Sequence, residues 1–468
     1  MDVLFLSSEV APWSKTGGLG DVAGALPKAL ALRGHRVRVV TPLYADVDRR
    51  PLEAWGSPLT LEFPFGAIEV RAHRQRATGV EVMFIDVPSF FGRERLYGYP
   101  DDARRFTLLS MAALSFAQRD GFDAQVVHAN DWPTALVLLA LRTGFAHTPL
   151  GRARKVFTIH NLAYQGVFPK KELDALGLPW STFTPEGVEF YDQLSFMKAA
   201  LVSADVITTV SPTYAKEIQT SRFGVGLEGL LAHRSRSLHG ILNGIDTEVW
   251  NPATDVYLPV PFTSAELAGR AKCRSELIAS CRIDPPQAGL PLFGFIGRMA
   301  NQKGADLLQA ALPKLLEQGA SAIVLGSGEP AIEQAWRALE ARYPRRLALR
   351  IGFDESLAHR IEAGSDFFVM PSKFEPCGLN QMYSLRYGAV PIVHAVGGLK
   401  DTVTDFSQRD GTGVVFEQPA ADALLKALLR AVDLFRAEAK YREVQRRGMQ
   451  RDFSWDDAAR QYEQLYTA

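Results

Sequence analysis

Short apolar runs with the length of buried strands alternate with runs of helical apolar spacing along nearly the whole chain. Residues 3–6, 37–41, 80–87, 124–128, 156–160 and 206–210 read as strands in the first half. Residues 292–297, 322–326, 348–352, 367–370 and 390–393 repeat the theme in the second. Between them, 104–119, 133–141, 190–201, 303–316, 330–341, 356–363 and 378–386 have helical spacing. Strict alternation of this kind predicts an α/β fold with parallel sheets covered by helices on both faces. A chain of 468 residues is too long for one typical core, so two or three domains are expected. The turn signal at Asn243-Gly244 separates a first domain, 1–245, from a second, 246–450. Residues 451–468, with Phe453, Trp455, Ala458, Tyr462 and Leu465, read as a terminal amphipathic helix. Residues 62–71 and 80–85 read as a hairpin inserted in the first domain.

Charge narrows the function. Lys+Arg and Asp+Glu are 52 each, so no global field recruits nucleic acid or an anionic membrane. An anionic ligand must then meet a local cluster. The three cysteines lack metal-ligand spacing and predict a reducing, cytoplasmic setting without a disulfide framework. The start, Asp2 leading straight into a strand, lacks a signal-peptide pattern, and no apolar run is long enough to span a bilayer.

In open α/β sheets ligands bind beyond the carboxyl ends of strands, and the informative residues follow strands here. Lys15-Thr16-Gly17-Gly18-Leu19-Gly20 and Gly397-Gly398-Leu399 are glycine turns between a strand and a helix. Such a pair lets backbone N–H groups approach a phosphate where a Cβ would clash; a tight turn without ligand is the other reading. Arg298 and Lys303 flank a loop after 292–297 and can neutralise a diphosphate leaving group. After 367–370, Glu375 sits in a turn made by Pro376, followed by Cys377, Gly378 and Leu379. Its carboxylate can accept hydrogen bonds from sugar hydroxyls. Cys377 reads as a packed thiol, with a nucleophile as the alternative. His160 and Asn161 follow one strand and Asp131 another. Asp46 and Asp48 have the spacing of a metal pair but stand in an Arg-rich loop, and no metal is expected.

These residues point to a nucleotide-sugar transferase. A nicotinamide oxidoreductase would need Gly-x-Gly-x-x-Gly and an acidic residue after the second strand, where Thr41-Pro42 stands instead. A non-catalytic sugar-binding module would not need Arg298 and Lys303 beside a phosphate loop.

Taken together, the motifs resemble those of bacterial glycogen synthases and plant starch synthases over essentially the whole chain. Lys15 to Val22 resembles their N-terminal Lys-x-Gly-Gly-Leu signature. Asn243-Gly-Ile-Asp246 with Trp250-Asn251-Pro252 resembles the interdomain motif, Phe374 to Leu379 with Gln381 the second-domain signature, and Phe453-Ser-Trp455 the C-terminal helix. The resemblance implies a GT-B architecture: two Rossmann-like domains with a deep cleft, the C-terminal helix crossing back to the first domain. It implies retaining transfer of glucose from ADP-glucose to the non-reducing 4-OH end of an α-1,4-glucan such as glycogen, with no cofactor and no metal. It assigns Lys15 and Gly18 to the donor diphosphate and glucose, and Arg298 and Lys303 to the leaving phosphates. Glu375 and the turn Cys377, Gly378, Leu379 go to donor glucose hydroxyls and phosphate. His160 and Asn161 hold the sugar from the other side, Asp131 and Tyr97 line the acceptor side, and Phe353 stacks on adenine. A core ring is the other reading of Phe353. Two positions depart from the usual pattern: Pro133 stands where His commonly follows Asp-Trp, and Phe353 replaces a common Tyr.

Overall fold

The computed structural model describes residues 1–77 and 79–467. They form two compact units, Met1–Gly244 with Trp455–Ala468, and Ile245–Ser454.

The first unit is built on a ten-stranded sheet. Its strands in chain order are β1 (Asp2–Leu6), β2 (Arg36–Pro42), β3 (Glu53–Ala54), β4 (Leu59–Phe63), β5 (Gly66–Ala77), β6 (Val80–Asp86), β7 (Val126–Asn130), β8 (Arg154–Ile159), β12 (Val206–Thr209) and β13 (Leu238–Gly240). Three short strands, β9 (Val167–Pro169), β10 (Glu189–Phe190) and β11 (Gln193–Ser195), form a separate small sheet. The main order is β13-β12-β8-β7-β1-β2-β6-β5-β3, with β4 paired to β5. From β13 to β6 every pairing is parallel. These strands are apolar on both faces because helices cover both; Val3, Leu4, Phe5 and Leu6 are all fully buried. The antiparallel edge β5–β4 instead alternates, and the residues of β4 run half-buried, exposed, half-buried along Leu59–Phe63.

The second unit carries one six-stranded parallel sheet: β14 (Leu292–Ile296), β15 (Ser321–Gly326), β16 (Leu347–Ile351), β17 (Phe367–Met370), β18 (Val390–His394) and β19 (Val414–Phe416). Its order is β16-β15-β14-β17-β18-β19. In each sheet the chain runs outward from one strand and then returns to that strand's other side. The strand order reverses at β1/β7 in the first unit and at β14/β17 in the second. Those are the topological switch points where crevices open beyond the strand ends.

Two local expectations need correction, and a third holds with changed limits. The helix read over 303–316 is two, Ala305–Ala311 and Pro313–Glu317, because Pro313 has no N–H to continue the ladder. The helix read over 190–201 begins only at Phe196. Before it, Tyr191 and Asp192 both take positive φ (50° and 61°) and turn a two-residue hairpin between β10 and β11. The hairpin read over 62–71 and 80–85 is present with other strand limits: β5 pairs antiparallel with β6 from Arg71–Asp86 to Ala77–Val80, β4 pairs antiparallel with the first part of β5, and β6 also lies parallel to β2 in the main sheet.

Candidate active site

At the switch point of the second unit, three strand-end loops interlock. Lys303 Nζ lies 2.6 Å from Glu375 Oε2, and Ser372 Oγ donates to the same oxygen at 2.9 Å. Glu375 is buried, so its carboxylate is held by a charge and a hydroxyl rather than by bulk water. Arg298, on the β14 loop with Lys303, donates from Nη2 to Gln302 Oε1 at 2.9 Å. The structure thus brings Lys303 and Glu375 into contact and leaves Arg298 on the exposed side of the same loop. Asn380 Nδ2 donates to Ile296 O at 3.0 Å, tying the helix Asn380–Tyr387 to the end of β14. Cys377 is buried, and Gln381 Nε2 donates to its carbonyl and to that of Gly378 at 3.0 and 2.9 Å. That is the packed setting, and it holds the Cys377-Gly378-Leu379 turn in place.

The two glycine turns are physically unlike. A Cβ on Gly397, whose φ is +46°, would lie 1.9 Å from Glu375 O; one on Gly398 would lie 2.1 Å from Cys377 O. Gly398 N also donates to Glu375 O and Pro376 O at 3.1 Å. The second pair therefore serves close packing against the Glu375 loop. Gly17 is extended (φ −160°), and a Cβ there would meet nothing within 4 Å. At Gly17 the first turn opens toward free space, where a ligand can approach.

At the switch point of the first unit, the loop after β1 meets the ends of β7 and β8. Asp131 is buried with φ +56°, a strained value for a residue other than glycine. Its Oδ1 accepts the backbone N–H of His160 at 2.9 Å and of Asn161 at 3.4 Å. Burial pushes the Asp131 carboxyl up to about 7, against the pull of those two amides. His160 Nε2 lies 2.9 Å from Asn130 Oδ1, and Asn130 Nδ2 donates to Leu6 O at 2.9 Å. That second bond orients the amide so that Nε2 carries the proton and Nδ1 is the acceptor. Burial pushes His160 down to about 3, so the ring is neutral at neutral pH. Lys15 Nζ bridges to Asp21 at 2.6 Å, half-exposed beside the open turn.

Tyr97 sits in this cluster. Its OH donates to Glu9 Oε1 at 2.7 Å and lies 2.8 Å from Ser8 Oγ. Burial, and then the Glu9 charge, hold its phenol well above the ordinary value. Glu9 escaped the sequence reading, as did Ser372. The signal for Glu9 was a lone acidic residue directly after a fully buried strand, in Ser7-Ser8-Glu9. Phe353, just after β16, is 84% exposed, which excludes the core reading of that ring. Asp48 pairs with Arg50 at 2.7 Å, and no group of three His, Cys, Asp or Glu side chains suited to a metal ion occurs among the described residues.

Residues 2–233 match the family model described as the starch synthase catalytic domain, and residues 283–447 match glycosyl transferases group 1. A glycogen synthase of Myxococcus xanthus is 52% identical over all of this chain and 99% of its own length. Another, of Paracidovorax citrulli, is 46% identical over all of this chain and 95% of its own. The chain belongs to the glycogen and starch synthase family. The solved catalytic domain of Arabidopsis thaliana starch synthase IV, bound to ADP and acarbose, superposes with TM-score 0.94 at 36% identity, covering 99% of this chain and 98% of that one. Sucrose-phosphate synthase of Thermosynechococcus elongatus, at 18% identity and TM-score 0.65, shares the fold alone. The architecture of this glycogen and starch synthase family member is therefore GT-B, with a glycosyltransferase domain in each half. Each matched region holds one of the two switch-point clusters: Asp131 and His160 in the first, Lys303 and Glu375 in the second. No helix among the described residues is long and apolar enough to cross a membrane.

Proposed function

We propose that this glycosyltransferase is an ADP-glucose-dependent glycogen synthase that extends the non-reducing 4-OH end of an α-1,4-glucan with retention at the anomeric carbon. The observation that carries the reading is the Lys303–Glu375 contact at the second switch point, on the loop that also bears Arg298. A sugar diphosphate needs both functions side by side: cations for the phosphates and a carboxylate for sugar hydroxyls. Arg298 and Lys303 are assigned to the leaving phosphates, and Glu375 with the Cys377-Gly378-Leu379 turn to the donor glucose. Lys15 and Gly18 are assigned to the donor from the first unit. His160 and Asn161 are assigned to the sugar, and Asp131 and Tyr97 to the acceptor.

Retention follows either from a covalent glycosyl-enzyme or from attack on the face the leaving group departs from. A covalent route needs a carboxylate free to act as nucleophile. Asp131 already accepts two backbone amides and is held near neutrality by burial. Same-face attack asks less of the protein. The acceptor 4-OH oxygen bonds to the anomeric carbon as the bond to the ADP oxygen breaks. The departing phosphate takes the 4-OH proton, and the products are ADP and a glucan longer by one glucose. Arg298 and Lys303 then offset the charge that develops on the phosphate.

The test is Arg298→Ala in an assay of ADP release with glycogen as acceptor. Removing one donor to transition-state charge costs about 10²–10³ in kcat, and that loss is expected here. Near-wild-type turnover would contradict the assignment.

A further inference from the structure

The Glu9 carboxylate is buried and surrounded by donors. Its Oε2 accepts the Thr16 N–H at 2.6 Å and the Gly17 N–H at 3.3 Å. Its Oε1 accepts the Thr16 hydroxyl at 2.7 Å and the Tyr97 hydroxyl at 2.7 Å. The backbone around it is fixed as well. Ser7 Oγ donates to Glu9 O at 2.6 Å, and Val10 N donates to Ser14 Oγ at 3.1 Å. Ala11 N donates to Gly20 O at 2.9 Å, and a Cβ on Gly24 would lie 2.7 Å from Ala11 O. The segment 7–14 is thus pressed onto the start of the helix Gly18–Leu32, with Glu9 reaching under the glycine turn.

This arrangement changes how the turn can bind. The Thr16 and Gly17 amides are already occupied by a carboxylate, and a phosphate placed on them would face that negative charge. The donors left to a ligand are Lys15 and the first-turn amides of the fifteen-residue helix, which have no intrahelical acceptor. Thr16 and Gly17 are exposed, whereas Glu9 beneath them is buried. The loop's shape is therefore set from below and its outer edge left open.

We infer that Glu9 is a positioning residue, whose carboxylate, bonded at once to Thr16, Gly17 and Tyr97, sets the turn that presents Lys15 and Gly18 and links it to the tyrosine. The inference rests on the donor and acceptor roles proposed above. Glu9 touches neither substrate. It acts through the turn on the donor and through Tyr97 on the acceptor, so one buried group couples both.

Glu9→Gln tests it. The amide can accept on one oxygen only, so either the turn amides or the two hydroxyls must face an N–H group. Displacing a substrate-positioning group by about 1 Å costs about 10²-fold, and a loss of that order in kcat/KM for ADP-glucose is expected. Glu9→Asp keeps the charge and should recover part of the loss, which a merely structural role would not predict. In a cycle with Tyr97→Phe, the two losses should be non-additive for glucan, because both remove the same bond. Retention of kcat/KM within about twofold in Glu9→Gln, or full additivity with Tyr97→Phe, would overturn the inference. If Glu9→Gln does not fold, the exposed Thr16→Val decides: it removes one bond to Oε1 and should cost about 5-fold on the donor side, the scale of one hydrogen bond, and no change would overturn the inference. An inactive wild-type protein would instead reject the proposed function itself.

Discussion

Phe353 projects 84% exposed from the turn after β16, preceded by Gly352 at φ +121°. A large ring left in water can stabilise a bound base without stabilising the fold. Base–aromatic stacking is worth about 1–3 kcal/mol, so Phe353→Ala should raise KM for ADP-glucose roughly 5- to 100-fold. The effect on kcat should be small, because stacking is equal in ground and transition states. The melting temperature should not move, since no core contact is lost. The effect should be smaller with UDP-glucose, whose base has the smaller ring. An unchanged KM would place the base elsewhere. Asp131 yields a pH prediction. Burial holds its carboxyl at about 7 when folded against an ordinary value of 3.8, so the folded state binds the proton more tightly. That stabilisation is fully present below pH 3.8 and is lost as pH rises through about 7. His128 and His160, held near 3 by burial, act in the opposite sense. Their contribution is present above 6.5 and is lost as pH falls toward 3. Asp131→Asn should therefore raise the melting temperature more at pH 8 than at pH 5, with an upper bound of about 4 kcal/mol. Scanning fluorimetry at the two pH values checks the sign; an equal shift at both would refute it.

Among the elements, the glycine turns offer the sharpest contrast. Gly397→Ala forces a Cβ against Glu375 O at a positive φ, so the loop carrying Glu375 must move. It should cost about 1–3 kcal/mol of stability together with activity. Gly17→Ala has extended backbone and open space, so it should fold as wild type and yet raise KM for ADP-glucose. Denaturant titration beside donor kinetics separates the two; equal stability losses would contradict the contrast. In the sequence these turns look alike, because Gly-Gly-Leu after a strand records that glycine stands there, not whether close packing or open space surrounds it. The buried parallel strands were legible, since Val3 to Leu6 or Val390 to Val393 have no polar face to show. Helix ends were not. Pro313 within an unbroken apolar pattern, and the Tyr191-Asp192 hairpin before Phe196, are set by local backbone geometry that apolar spacing does not encode. At the site, Lys303 and Glu375 were visible as residues following strands, but their contact depends on β14 and β17 being neighbours in the sheet. Glu9 was hidden because its partners, Thr16 and Tyr97, lie on separate loops.

At the scale of the whole molecule, each half is an α/β sheet whose strand order reverses once, and each reversal holds a polar cluster. The last helix, Trp455–Thr467, belongs to the first unit. Its Glu463 pairs with Arg33 and His35, and Tyr466 OH lies 2.7 Å from His128 Nδ1 beneath the β7 strand end. The chain's final element thus completes the core behind the Asp131 and His160 cluster. Parallel sheets in both halves explain why the chemistry gathers at strand carboxyl ends, and why charge is local in a chain of zero net charge. The central claim is retaining transfer of glucose from ADP-glucose to a glucan 4-OH. The most direct measurement is proton NMR of the full chain acting on ADP-glucose with a short α-1,4-glucan acceptor. The account predicts growth of the α-1,4 anomeric signal, one ADP released per glucose added. A β-configured linkage, or ADP release without glucan growth, would contradict it.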